Sequence, residues 1–153
     1  MAPNSRLAHA GYVVAAYLAV FPLVDAVTPF LPPHFGDARW RFTLFGMLSN
    51  TLLILLLALL VGLIFAHVGA SLRAKRVVGW FALATAVLTV LCAAMFIYGY
   101  VTATSALPEA ARHAAVPVTI VALVKYVFGF AAAALLARAS RVPLYGTVAT
   151  ARA

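Results

Sequence analysis

Acid is scarce in this sequence. Its 153 residues hold three carboxylate side chains, Asp25, Asp37 and Glu109, against eleven lysines and arginines, for a formal net charge of +8. Cysteine is scarcer still. The single Cys92 excludes an intramolecular disulfide and any Cys-x-x-Cys chemistry. Charged residues of either sign make up 9% of the chain and hydrophobic ones 66%. A soluble domain carries roughly 25% charged residues, so this chain has too little polar surface to cover a water-facing protein. Catalytic signatures are missing too: there is no Gly-rich phosphate loop, no His-Glu-x-x-His helix and no nucleophile elbow. The chain therefore reads as non-enzymatic. The enzyme that stays open is one acting on a lipid at the outer interface through His34 or Asp37.

What the sequence has instead is long apolar runs. Four of them, at about 9–31, 42–66, 77–101 and 116–137, are long enough to cross a bilayer as helices. They predict an all-α integral membrane four-helix bundle, one domain over 1–153. The first run is longer than the apolar core of a signal peptide, and Pro29 follows its only cleavable-looking stretch, so an uncleaved span is expected. Pro22 falls inside it and predicts a kink. Pro29, Pro32 and Pro33 end it, and Gly36-Asp37 supplies a turn. Arg39, Trp40 and Arg41 then look like an interface anchor. The small residues Ala82, Ala86 and Ala93–Ala94 in the third run, and Gly129, Ala133 and Ala137 in the fourth, predict close helix approach. The 102–115 segment reads as a loop holding at most one helical turn, with Pro108 and Glu109 at its start. On the first and third loops, Asp37 and Glu109 are read as solvated loop charges.

Basic residues set the expected orientation. The N-terminal segment, the second loop and the tail hold Arg6, Arg73, Lys75, Arg76, Arg138, Arg141 and Arg152 and no acid. The first and third loops hold Arg39, Arg41 and Arg112 with Asp37 and Glu109. The positive-inside rule then gives N-in/C-in, both termini cytoplasmic, in the cell's inner (plasma) membrane. Orientation and anionic lipid account for the surplus of base. No basic–aromatic module accompanies it, and no nucleic-acid partner is expected.

Two charges fall inside the apolar runs. Asp25 is in the first and Lys125 is near the middle of the fourth. A charge in the bilayer core costs at least about 2.5–3.5 kcal/mol and normally faces protein or water. At about 1.5 Å per residue, Asp25, Asn50 and Lys125 all fall in the outer half of the membrane. Candidate binding residues are therefore Asp25, Ser49, Asn50, Lys125 and Tyr126, with Tyr98 near. Four readings stay open: a structural Asp25–Lys125 pair, an outward polar pocket for a small ligand, lipid headgroup or proton, a contact with another membrane subunit, or a snorkelling lysine. The pocket reading makes the chain a small transporter or a ligand- or lipid-binding protein. The subunit reading makes it an accessory or assembly component. Of cofactors, haem alone has a pattern to consider, with His9 and His67 at one set of span ends and His34 and His113 at the other. Histidines at span ends read first as interfacial polar tips, and no cofactor or metal is expected.

The 32–45 segment, with its DARWRF core leading into a leucine-rich span, resembles small four-span bacterial membrane proteins without an assigned function. It is distantly similar to the membrane part of cyanobacterial proteins tied to hormogonium polysaccharide. The likeness covers the first three spans and implies four spans; it carries over no catalytic residue.

Overall fold

Proline, glycine and short capping side chains cut the chain into four long helices. The computed structural model describes residues 3–105 and 109–141, and side chains within 6–105 and 112–141. The helices are α1 (Pro3–Val27, extended by a 3₁₀ turn Thr28–Phe30), α2 (Ala38–Val68), α3 (Leu72–Thr104) and α4 (Glu109–Ala139). All four are long and apolar enough to cross a membrane, and no strand occurs among the described residues.

The helix ends follow local chemistry. Asp37 caps α2: its Oδ1 accepts the backbone N–H of Arg39 at 2.8 Å, satisfying one of the donors left open at a helix start. At the other end of α2 the Ser71 N–H bonds the Ala66 carbonyl (3.0 Å) and the Ala70 N–H bonds that of His67 (3.0 Å). This is a Schellman closure with Ala70, at φ 47°, where glycine is usual. Ser71 then caps α3, its Oγ accepting from the Ala74 N–H at 3.2 Å. The α2–α3 connection is thus three residues long, which holds the two helices antiparallel.

The 102–115 segment is a correction to the sequence reading. Helix α3 continues to Thr104 and α4 begins at Glu109, so the expected single turn is the start of α4 itself. Arg112 Nη2 donates to the Ser105 carbonyl at 3.4 Å and ties the two ends together. Pro108, the Glu109 side chain and Arg152 lie outside the described residues. Helix α1 runs through Pro22, and α4 through Pro117.

Packing is uneven. Helices α2, α3 and α4 pack on one another pairwise, whereas α1 packs along α2 and forms no comparable interface with α4. Small residues set the closest approaches. A methyl group on Gly129 would fall 2.0 Å from Leu52 Cδ2, and one on Gly99 would fall 3.0 Å from the Phe42 backbone nitrogen. Ala82, Ala86, Ala133 and Ala137 are buried as their spacing predicts, while Ala94 is exposed. Between these contacts Leu52, Phe96, Ala122 and Tyr126 form the core, with Phe42 stacked on Phe96 at 4.9 Å. The buried threonine hydroxyls are answered within their own helices: Thr85 donates to the Phe81 carbonyl at 2.8 Å and Thr89 to that of Thr85 at 2.7 Å. In lipid this matters, because no water replaces a missing partner.

The register of α1 on α2 fixes relative depth. Gly11 sits on the Phe65 ring, Ala15 lies beside Gly62 and Ala8 beside Gly69. Ten residues on from Ala15 is Asp25, and ten back from Gly62 is Leu52, so Asp25 lies level with Leu52.

Candidate functional site

A groove between α2 and α4 carries the polar group that the apolar core cannot explain. Lys125 Nζ donates to Asn50 Oδ1 at 2.6 Å, bridging the two helices, and both residues are exposed. Asn50 is twelve residues into α2, about 18 Å along a helix of about 46 Å. The pair therefore sits well inside the apolar length. It separates two cavities that share Ser49, Asn50 and Lys125. One, about 480 Å³, opens toward Phe42, Gly46 and Pro117; the other, about 400 Å³, opens toward Leu53, Phe128 and Gly129. An ammonium has three donors, and Asn50 takes one. Among the described residues no other bond to Lys125 is made, and its single partner is neutral.

The other candidate residues go elsewhere. Asp25 is exposed on α1 and makes no ion pair with Lys125. Of the readings left open, an Asp25–Lys125 pair within the chain is not formed, and Lys125 takes the Asn50 contact instead. The reason is topological: α1 borders α2 and not α4. Depth is not the obstacle, since Asp25 lies level with Leu52, within a turn of Asn50. Ser49 lines both cavities, but its Oγ donates to the Gly46 carbonyl at 2.6 Å and is used within α2. Tyr126 is buried, 3% exposed, with its hydroxyl donating to the Phe45 carbonyl. It fastens α4 to α2 beneath the groove. Tyr98 does not join this group: its ring lies 4.9 Å beneath the Arg41 guanidinium.

The anchor triplet divides in the same way. Arg39 is exposed. Trp40 is half-buried, its Nε1 donating to the Phe30 carbonyl at 3.2 Å and its ring edge-on to Phe35 at 5.0 Å. Arg41 turns inward and is 8% exposed. Its Nη1 donates to the Phe35 carbonyl and its Nη2 to Thr102 Oγ1 at 3.3 Å. This one guanidinium therefore joins the 31–37 segment, α2 and the end of α3. Sequence reading also missed Lys75. Counted there as a surface charge, it is 2% exposed at the start of α3. Neither burial had a signal in composition. Helical phase offers a partial one, because Arg39 and Arg41 are about 200° apart around the axis.

The four histidines are exposed and lie near helix ends, with His67 Nδ1 3.0 Å from the Leu63 carbonyl oxygen. No group of three or more His, Cys, Asp or Glu is placed to hold a metal ion among the described residues. Compared with protein-family models, curated proteins and solved structures, the chain finds no match.

Proposed function

We propose that this chain is a non-enzymatic assembly subunit of the plasma membrane, lying N-in/C-in, whose Lys125–Asn50 groove receives a carboxylate from a neighbouring transmembrane helix. The carboxylate at hand is Asp25 of a second copy. One observation carries the reading: the only ammonium and the only carboxylate of the span interiors are both exposed, at one depth, on helices that do not pack together. Each charge is costly in lipid, and a neutral amide offsets little of that cost for Lys125. Pairing between copies removes both costs at once. It is satisfied reciprocally in a two-fold dimer or head to tail in a ring.

The largely lipid-facing surface of α1 fits the same role. Of its most apolar window only 6% is buried within the chain, against about 30% for the other helices. Purified in mild detergent, the native chain is expected to run as an oligomer and Lys125→Met as a monomer of unchanged helicity. A Lys125→Met protein of native size would remove the lysine from the interface.

Orientation rests on seven basic residues against three. A reporter that is active only outside the cytoplasm, fused after Ala153, is expected to be silent. A strong signal would reverse the topology. The cavities beside Lys125 support a second reading, in which the groove holds a small anionic ligand on Lys125 and Asn50. Asp25 has no part in that pocket.

A further inference from the structure

The opposite end of the bundle carries a different site. Here the start of α3 and the end of α4 enclose a cavity of about 390 Å³ lined by Lys75, Arg76, Trp80, Ser140 and Arg141. Lys75 forms part of its wall from within the fold, 2% exposed, and Arg76 and Arg141 stand exposed at its mouth. Among the described residues no carboxylate side chain lines it. The three acids of the sequence are elsewhere: Asp25 in the other half of α1, Asp37 before α2, and Glu109 at the start of α4.

A second cavity, about 610 Å³, continues from the first and shares Leu83 and Arg141 with it. It runs down the α3–α4 face past Val87, Leu91 and Phe130, and its polar lining is confined to Arg138 and Arg141 at its upper end. From Leu83 to Leu91 it covers eight residues, about 12 Å. One leaflet of hydrocarbon is about 15 Å deep, half of the ~30 Å core. A cationic chamber therefore opens into an apolar channel of leaflet depth, with Trp80, 71% exposed, at the level where interfacial tryptophans sit.

We propose that this end binds an anionic phospholipid, its headgroup phosphate held by Arg76 and Arg141 and one acyl chain laid along the α3–α4 channel. Charge complementarity supplies the headgroup half of the case. Basic pockets between transmembrane helices recognise anionic headgroups in this way. Continuity of the two cavities supplies the chain half. A free phosphate would use the chamber and leave the channel empty, so the channel commits the site to a lipid. The site is independent of the Lys125 groove, which lies on the α2–α4 face.

The test uses the full chain with Trp40→Phe, leaving Trp80 as the single tryptophan, in uncharged detergent. Phosphatidylglycerol brominated on its acyl chains is titrated against equally brominated phosphatidylcholine, and quenching of Trp80 is followed. Quenching by the anionic lipid is expected at much lower mole fraction than by the zwitterionic one. Arg76→Gln with Arg141→Gln, both exposed and harmless to the core, is expected to weaken the anionic lipid about 30-fold, since each surface charge contributes about fivefold. Val87→Phe, which narrows the channel, is expected to weaken both lipids. Equal quenching by both lipids in the native chain would overturn the proposal. So would a preference untouched by the two arginine changes. Full competition by millimolar inorganic phosphate, with no effect of Val87→Phe, would assign the chamber to a free anion and overturn the lipid.

Discussion

Arg41→Met is expected to destabilise the protein by about 3 kcal/mol, the cost of losing a charged hydrogen bond and leaving a carbonyl unanswered. In detergent micelles that corresponds to a fall of roughly 6–12 °C in the unfolding midpoint. The side chain makes three contacts at once, to the Phe35 carbonyl before α2 and to Thr102 and the face of the Tyr98 ring on α3. Methionine keeps much of the volume and none of these contacts. Arg41→Lys is expected to recover only part of the loss, because one ammonium on a flexible stem cannot reproduce the planar fork. Arg39→Met, two residues away and exposed, should stay within about 0.5 kcal/mol. Thermal unfolding followed by circular dichroism separates the three variants. Equal midpoints for Arg41→Met and Arg39→Met would return Arg41 to the status of a surface anchor.

Larger still is the expected effect of reversing either intramembrane charge. Asp25→Lys places a lysine on α1 where another copy presents Lys125. Lys125→Asp places an aspartate where another copy presents Asp25. Either change breaks a desolvated ion pair, a loss of about 3–5 kcal/mol per contact. Association is then expected to weaken between roughly one hundred and a few thousand fold. The monomer fold is expected to persist, because α1 is held to α2 through Gly11, Ala15 and Ala8, and α4 through Gly129 and Tyr126. Loss of size with retention of helicity is the signature. A charge buried inside one chain would instead unfold it.

The helices were legible in the sequence for a simple reason: runs this apolar have no other stable form in lipid, and the prolines and the Gly36-Asp37 turn mark the end of the first. Their arrangement was much less so. In a soluble bundle the polar face tells which side is solvent. Here the lipid-facing Leu53, Val87 and Phe128 are as apolar as the buried Leu52 and Phe96, so the pattern carries little facing information. Small residues carried the rest, and Gly129, Ala133 and Ala137 gave the inner face of α4 correctly. Nothing comparable distinguishes a helix that closes a ring from one that flanks it. The lateral position of α1 was therefore hidden, and with it the separation of Asp25 from Lys125. Depth was legible, because it needs only residue counts. Lys125, Asn50 and Asp25 do share a band, but the first two meet within the chain and the third faces away. Arg41 and Lys75 were misread for a related reason. Charge was taken as a mark of surface, whereas Arg41 satisfies donors on the Phe35 carbonyl and the Thr102 hydroxyl, and Lys75 is covered by its own fold.

Whether Lys125 and Asp25 join separate copies is tested most directly in trans. Two differently tagged chains, one with Asp25→Lys and one with Lys125→Asp, are expressed singly and together, and one tag is used to recover the other from mild detergent. Singly, each is expected to be monomeric. Together, the lysine introduced on α1 of one chain meets the aspartate introduced on α4 of the other. The first chain's unchanged Lys125 likewise meets the unchanged Asp25 of the second, so mixed oligomers should form and each tag should recover the other. Failure of the mixture to assemble, with assembly restored only when both changes are made in one chain, would contradict pairing between copies.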